Sequence, residues 1–410
     1  MLSRSTIRTS VASALVAIAA VATAAAAPPR AVAANGMDVA LGDDAVFLYH
    51  AYYHRQRAFE QARSLATTRL HVLLPWYLAV SRKEARRHHP PKHLVYYLHR
   101  WDDLIDAAAR RGIRVDLVLS GKAPAYAAGN HHIGSRRPDA RLFGRFARAM
   151  AKHFEGRVER YSIWNEPNYV SWLKPLHDAP RLYRDLYLAG YRAIKQVSPE
   201  AQVLIGETSP RNSKGRSWSP LSFLRRVACV DRDYVRVGHC RQLVADGYAQ
   251  HPYEFEHSPY ERHADPDDVT IGTLDHLTSA LDRLQAATAL VTPDRQPMGL
   301  YLTEFGYFAS GRRKIPEKLA ARYLPEAFDI ALNNARVREM TQYRLVTPPK
   351  RYPSAYFNTG IVTLSGHRRK PYKALAKWAA RAVREGRLRR PRGPIRLPPA
   401  RRSGDWRTAR

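Results

Sequence analysis

Short apolar segments alternate with longer segments of helical periodicity from residue 45 to residue 378, and this alternation limits the possible folds more than any other feature. Eight strand–helix pairs can be counted, from a strand at residues 45–49 to a helix at residues 371–385. Because each helix separates two strands, the strands are expected to run parallel. The third strand, at residues 113–119, is nearly all apolar, as is typical of strands that helices cover. The sequence therefore predicts a (β/α)8 TIM barrel.

Several functional motifs of other α/β proteins are absent. A dinucleotide-binding sheet would carry a Gly-x-Gly-x-x-Gly turn after its first strand, and this sequence has none. It also lacks a phosphate-loop motif, a Gly-x-Ser-x-Gly elbow and a His-Glu-x-x-His pair. These absences favour a closed barrel over an open doubly wound sheet, and they imply neither a cofactor nor a metal.

Both ends of the chain differ from the middle in composition. Residues 1–34 combine Arg4 and Arg8 with an apolar, Ala-rich run, which predicts a signal peptide and a secreted protein. A membrane anchor is the alternative, but the run is shorter than the about 20 strongly apolar residues that a span needs. Residues 385–410 are rich in Arg and Pro and are predicted to be a disordered tail. Residues 35–384 are left for one barrel domain.

The two cysteines, Cys229 and Cys240, lie 11 positions apart. In an exported protein such a pair indicates a disulfide. Two thiols without further ligands do not make a zinc site, so the metal alternative is weak.

The formal net charge of +31 is large for a chain of 410 residues. Such a surface attracts polyanions, and the candidate partners are acidic polysaccharide and cell-wall polymer, without specific recognition of nucleic acid. The alternative is that compositional bias produces a solvated basic face with no partner.

Two glutamates lie where apolar strands end. Glu166 follows the fourth strand in Trp164-Asn-Glu-Pro167, and Pro167 cannot continue the strand's hydrogen bonding. Glu304 ends the seventh strand. Reactive groups of (β/α)8 barrels lie at the C-terminal ends of strands, so we expect these two carboxyl groups to converge over the barrel axis.

The segments Trp164-Asn165-Glu166-Pro167 and Thr303-Glu304-Phe305-Gly306 resemble those of clan A glycoside hydrolases, with families 5 and 39 the nearest. The resemblance spans about residues 38–378. It implies that Glu166 is the general acid/base, that Glu304 is the nucleophile and that Asn165 binds the sugar 2-hydroxyl. Glycosidic cleavage needs two carboxyl groups, about 5–5.5 Å apart in a retaining enzyme, because one protonates the leaving oxygen while the other attacks the anomeric carbon.

The same resemblance implies roles for three more residues. His251 and Tyr253 look like the clan's His-x-Tyr element, in which His251 lines the sugar subsite and Tyr253 donates its hydroxyl to Glu304, holding it ionised. Arg69, which opens the second strand, resembles the clan's arginine near the nucleophile. A purely structural histidine and a surface ion pair are the respective alternatives for His251 and Arg69.

Three aromatic residues are candidates for contact with the sugar. Trp76 and Trp172 follow the second and fourth strands and are candidate stacking platforms, with ordinary packing as the alternative. Many clan members end the eighth strand with a Trp beneath the sugar, whereas this sequence has Tyr343 there. Either Tyr343 replaces that indole or no residue does, which leaves the substrate's identity open.

The leading hypothesis is a secreted, monomeric, retaining glycoside hydrolase that cleaves β-O-glycosidic bonds in a poly- or oligosaccharide by double displacement. A non-catalytic carbohydrate-binding barrel is one alternative, although the presence of both glutamates argues against it. A transglycosidase would use the same two carboxyl groups. A basic protein that binds cell wall or other polyanions is the alternative from a different class.

Overall fold

The computed structural model describes residues 36–401, in which eight parallel strands close into a barrel. Each strand pairs with the next along the chain, and the eighth pairs with the first. This confirms the predicted (β/α)8 fold. The barrel strands are β1 (Asp38–Gly42), β2 (Arg69–Pro75), β3 (Arg114–Ser120), β4 (Arg160–Ile163), β5 (Gln202–Thr208), β6 (Gly247–Gln250), β7 (Leu300–Phe305) and β8 (Val337–Tyr343). The predicted signal peptide, residues 1–34, lies outside the described residues.

Eight return helices surround the barrel, and two short helices, α1 and α3, lie in its loops. The helices are α1 (Asp44–Phe47), α2 (Arg55–Ser64), α3 (Arg82–Ala85), α4 (His99–Ala109), α5 (Ala140–His153), α6 (Ala179–Lys195), α7 (Pro220–Ala228), α8 (Leu274–Ala286), α9 (Glu317–Leu332) and α10 (Lys370–Arg384). In the described part of the chain, no helix is long and apolar enough to cross a bilayer.

Helix α5 illustrates how the sequence sets an element's bounds. The Asp139 side chain accepts a hydrogen bond from the Leu142 backbone over 2.8 Å and so caps the first turn. Phe143, Phe146 and Met150 recur at helical spacing and are fully buried between the helix and the barrel.

The prediction for the first strand is wrong. The strand is β1 (Asp38–Gly42), and the predicted residues 45–49 instead begin with the helical turn α1. The Asp43 carbonyl accepts hydrogen bonds from the Val46 and Phe47 backbone amides, which closes this turn. A short apolar run fits a buried strand and a buried helical turn equally well, so periodicity alone did not distinguish them.

The predicted sixth strand, residues 243–249, is divided in two. Leu243–Val244 pairs with Leu290–Val291 in a small separate sheet, and only β6 belongs to the barrel. Asp246 lies at the break, where its carboxylate accepts a hydrogen bond from the Val203 backbone and forms a 3.0 Å ion pair with Lys195. The predicted disulfide between Cys229 and Cys240 is present, with 6.2 Å between the Cα atoms.

Buried ion pairs fill the N-terminal end of the barrel. Arg69 donates to Asp38 over 3.0 Å and to Asp116 over 2.6 Å, and Arg160 donates to Asp116 over 3.0 Å and to Glu339 over 2.6 Å. All five side chains are at least nine-tenths buried. Burying charges is tolerable here because each cation meets carboxylates directly.

Residues 387–401, named here the C-terminal strap, extend across this same end of the barrel. Leu388 forms a parallel bridge with Met37, the Ile395 amide donates to the Ala109 carbonyl, and Arg157 donates to the Pro398 carbonyl over 2.7 Å. This differs, for residues 387–401, from the disordered tail expected at residues 385–410; residues 402–410 lie outside the described residues. Arg- and Pro-rich composition did not prevent docking, because the barrel supplies backbone and side-chain partners along the segment.

Candidate active site

Glu166 and Glu304 lie at the C-terminal mouth of the barrel, on opposite sides of the ring of strands. Glu304 is within β7, and Glu166 follows β4 with its backbone in the left-handed region at φ +38°. The Glu166 amide donates to the Glu207 carbonyl at the end of β5 over 2.9 Å, which holds the turn after β4 against β5. The side chains are 17% and 9% exposed, so both are largely removed from water.

One histidine nitrogen sets an upper limit on the distance between these two carboxylates. His251 Nδ1 lies 3.2 Å from Glu166 Oε1 and 3.7 Å from Glu304 Oε2. The two carboxylate oxygens are therefore no more than about 7 Å apart, a limit that admits the about 5–5.5 Å of a retaining glycosidase.

The His251 ring is fully buried and faces three carboxylates. Its Nε2 lies 2.8 Å from Glu207 Oε2, on the side opposite Glu166. Burial by itself lowers an imidazole pKa, but the charge of Glu304 and the hydrogen bonds to Glu166 and Glu207 outweigh it and raise the pKa of His251 well above its ordinary value. These contacts favour the imidazolium form of His251, which donates from both nitrogens.

Tyr253 donates its hydroxyl to Glu304 Oε2 over 2.9 Å. Burial nevertheless raises the pKa of Glu304 to about 7. The His251 charge and the Tyr253 hydrogen bond oppose this shift, whereas the Glu166 charge adds to it. The Tyr253 hydroxyl therefore favours the ionised form of Glu304, as the sequence predicted, but burial outweighs it. The Tyr253 ring stacks on Phe255, with 5.0 Å between centroids.

Two further predicted residues lie at the mouth. Asn165 is buried beside Glu166, and its Oδ1 has no hydrogen-bond partner among the described residues. Tyr343 ends β8, the strand next to β7, and its ring meets Phe357 edge-on at 5.7 Å between centroids. Burial and then the Glu304 charge raise the pKa of Tyr343 well above its ordinary value, which indicates that its hydroxyl lies near the glutamate.

Two acidic residues at the mouth were not predicted. Glu207 is fully buried on β5, and Asp44 follows β1. Burial raises the pKa of Asp44 to about 8, with Asp43 and Glu304 adding to the shift. Both residues follow an apolar strand, which is the signal that identified Glu166 and Glu304. Asp44 was missed because the first strand was predicted at residues 45–49, so Asp44 preceded the predicted strand instead of following it.

Arg69 and Trp76 are not brought to the two glutamates, and Trp172 lies in the loop that follows Glu166. Arg69 lies in the ion pairs at the opposite end of the barrel, because it begins β2 rather than ending it. Trp76 is 1% exposed and stacks on Phe146 at 5.4 Å, so it belongs to the core and offers no sugar platform. Trp172 is half-buried, and its carbonyl accepts a hydrogen bond from the Trp164 indole over 2.8 Å.

His71, His251 and Glu304 lie close enough together to share a metal ion, with one ligand atom of each within 4.8 Å of the others. The chemistry of these donors does not fit an ion in the arrangement described. Both nitrogens of His251 face carboxylates, and Glu304 Oε2 accepts from Tyr253. A protonated imidazole has no lone pair for a metal.

No family model matches the chain, and no curated protein matches it either. Solved structures do match in fold. A family 39 glycoside hydrolase from Bacteroides cellulosilyticus WH2 is 18% identical with a TM-score of 0.58, over 84% of this chain and 64% of that one. The chain thus spans less than two thirds of that protein's length.

Two other solved structures are similar to the chain to the same degree. A monomeric beta-xylosidase from Caulobacter crescentus CB15 is 17% identical with a TM-score of 0.55, over 84% of this chain and 69% of that one. Xylanase 10B from Thermotoga petrophila RKU-1 is 13% identical with a TM-score of 0.52, over 85% of this chain and 95% of that one. The chain therefore has the fold of family 39 and related clan A glycoside hydrolases, which confirms at the level of the fold the resemblance predicted from its sequence.

Proposed function

We propose that this protein is a retaining glycoside hydrolase that cleaves β-O-glycosidic bonds in a poly- or oligosaccharide. The observation that carries the proposal is the position of His251 Nδ1 between Glu166 and Glu304, which limits the separation of the two carboxylates to about 7 Å. This limit, in a barrel mouth, admits the about 5–5.5 Å that double displacement requires.

Glu166 is the proposed general acid/base, because it is the more exposed of the two carboxyl groups. It protonates the leaving oxygen while Glu304 attacks the anomeric carbon and becomes an ester. Glu166 then takes a proton from the incoming water, and the sugar leaves with its original configuration. Glu304 must be ionised to attack, and its pKa of about 7 makes activity rise as pH increases through neutrality.

The remaining residues of the mouth supply substrate contacts in this proposal. The unpartnered Oδ1 of Asn165 accepts from the sugar 2-hydroxyl. Tyr343 takes the place of the indole that many clan members have at the end of the eighth strand, and the partly exposed Trp172 is available for stacking on a sugar ring further out.

The proposal extends to the protein's setting. The enzyme is a secreted monomer in this proposal. Residues 1–34 direct its export, and its disulfide suits an oxidising compartment. The basic surface adds weak association with acidic cell-wall polymers. Gel filtration tests the monomer, and retention on an anionic polymer resin that salt abolishes tests the association.

The deciding experiment assays a panel of β-linked nitrophenyl glycosides and polysaccharides with the wild type, Glu304→Gln and Glu166→Gln. We expect wild-type activity on at least one substrate and a loss of about 10³-fold or more in Glu304→Gln, because the amide cannot form the ester. Glu166→Gln should lose less on substrates whose leaving group needs no proton, which separates the two roles. Equal activity of wild type and Glu304→Gln on every active substrate would refute the proposal.

The stereochemistry provides an independent test. Proton NMR during hydrolysis should detect the β-anomer first, because two inversions restore the configuration. An α-anomer as first product would reject the retaining mechanism while leaving hydrolysis intact.

A further inference from the structure

Glu207 is a buried acid at the catalytic mouth to which the proposed reaction gives no role. It lies near the end of β5 in the left-handed region, at φ +50°, a backbone state that costs about 1–3 kcal/mol for a residue with a side chain. Its side chain is completely buried, so it cannot touch a substrate. A strained, charged and buried residue needs a compensating function or contact.

The contacts of Glu207 lead to both catalytic glutamates. Its Oε2 accepts from His251 Nε2 over 2.8 Å and from the Thr303 hydroxyl over 2.7 Å, and Thr303 precedes Glu304 in the chain. Its backbone carbonyl accepts from the Glu166 amide over 2.9 Å. The other nitrogen of the His251 ring, Nδ1, approaches Glu166 Oε1 and Glu304 Oε2, so His251 links Glu207 to both glutamates.

We propose that Glu207 is a positioning residue that keeps His251 doubly protonated, so that the imidazolium holds Glu166 in place and favours the ionised form of Glu304. The inference rests on the proposed function for its consequence in catalysis. The protonation state of His251 can be measured without any substrate.

The physical argument follows the two nitrogens of the ring. A carboxylate at Nε2 requires a proton on that nitrogen. A neutral ring would then carry a lone pair at Nδ1, the nitrogen that faces Glu166 and Glu304. Because Glu207 has no access to water, its negative charge is screened little and stabilises a second proton on the ring. The imidazolium donates from Nδ1 to Glu166 and attracts Glu304.

The other groups that face this pair do not replace Glu207. His71 Nε2, on β2, lies 4.0 Å from Glu207 Oε2, but burial lowers the pKa of His71 despite the Glu207 charge, so this ring loses its proton at a lower pH than His251 does. The hydroxyls of Tyr183 and Tyr248 also lie near Glu207, and burial raises the pKa of each above its ordinary value, so both stay uncharged. His251 is the cation that Glu207 faces.

The ionisation of Glu207 agrees with this arrangement. Burial alone raises a carboxyl pKa, but the facing imidazoles of His71 and His251, with hydrogen bonds from His251 and Ser162, outweigh it and lower the pKa of Glu207 below its ordinary value. These contacts therefore favour the carboxylate form of Glu207.

The first experiment is a ¹⁵N NMR titration of histidine-labelled protein, with the His251 signals assigned by their absence from His251→Gln. In the wild type we expect the imidazolium pattern at pH 7. In Glu207→Gln, which keeps an oxygen acceptor but removes the charge, the ring should lose its second proton at a lower pH than in the wild type, although Glu304 and Glu166 still favour the imidazolium. A neutral His251 ring in the wild type overturns the proposal without any variant, and so does an unchanged ring in folded Glu207→Gln.

The second experiment measures kcat/KM against pH. Removal of the Glu207 charge by itself lowers the pKa of Glu304, but loss of the His251 charge, which is the larger cause, raises it. Glu207→Gln should therefore lose about tenfold in kcat/KM at pH 6 and recover toward the wild type at higher pH. Thr303→Val is the matched control, because it removes a hydrogen bond to the same Oε2 atom without removing a charge. Its acidic limb should stay where the wild-type limb is.

Glu207→Asp covers the case in which Glu207→Gln does not fold, since it keeps the charge while shortening the side chain. Its acidic limb should match the wild type's, whatever the overall loss in rate. A uniform loss at every pH in Glu207→Gln would mean that Glu207 is only structural. Absence of activity in the wild type would reject the glycosidase and leave the NMR result to decide the role of Glu207.

Discussion

Replacing Tyr253 with Phe removes one hydroxyl and tests the electrostatics of Glu304 directly. The hydroxyl donates to Glu304 Oε2 over 2.9 Å in a fully buried setting. A hydrogen bond to a charged group contributes about 1.5–3 kcal/mol, and one pKa unit corresponds to about 1.4 kcal/mol. Its loss should therefore raise the pKa of Glu304 by about 1–2 units from its value of about 7.

The sign of the effect on activity follows from the ionisation that the nucleophile needs. A higher pKa keeps Glu304 protonated to higher pH, so the acidic limb of kcat/KM moves upward. At pH 6 the variant should be about 10- to 100-fold slower than the wild type, and the two should converge above about pH 9.

The assay is a pH–rate profile on the best nitrophenyl glycoside, with Tyr248→Phe as the control. Tyr248 is equally buried, but its hydroxyl pairs with Thr208 over 3.0 Å. Its removal should leave the acidic limb in place. If the limb of Tyr253→Phe stays within about 0.3 unit of the wild type's, the hydrogen bond does not control Glu304 and the reasoning fails.

Three further predictions concern stability. Arg69→Met should lower the free energy of unfolding in urea by about 3–5 kcal/mol, because it leaves the buried carboxylates of Asp38 and Asp116 without this cation. KM should not change in the folded fraction. Trp76→Ala should cost about 3–5 kcal/mol and also leave KM unchanged; a large rise in KM with normal stability would restore the platform interpretation. Gly112→Ala should lower Tm, because its backbone has φ +70° and the new Cβ would lie 1.9 Å from the Arg392 carbonyl. The decrease in Tm should be smaller in a variant truncated after residue 386, because this variant has no strap for the new Cβ to displace.

The sequence was sufficient to predict the fold and to place Glu166 and Glu304 at the C-terminal mouth of the barrel. Each strand–helix repeat carries its own apolar pattern, and a glutamate at the end of an apolar strand can be recognised locally. The first strand was misplaced because residues 38–42 and residues 45–49 are both short and apolar, and only contacts with β8 and β2 select the former.

The errors in the candidate site concern the end of the barrel at which a side chain lies and whether the side chain is buried in the core. Arg69 begins its strand and Glu304 lies near the end of its own, so the two side chains lie toward opposite ends of the barrel. Trp76 does follow β2, but it packs against α5 instead of facing the mouth. The partnership of Glu207 with His251 joins residues 44 positions apart, and no local pattern encodes it.

The C-terminal strap also determines from where the chain leaves the barrel. The Gly36 amide donates to the Arg387 carbonyl, and Met37 pairs with Leu388, so the first and last described segments run side by side beneath β1. Both lie on the face opposite Glu166 and Glu304. A tether joined to residue 36 or to residue 401, whether to a resin, a cell surface or another domain, would hold the barrel by its base and leave the mouth with Glu166 and Glu304 facing away from the tether.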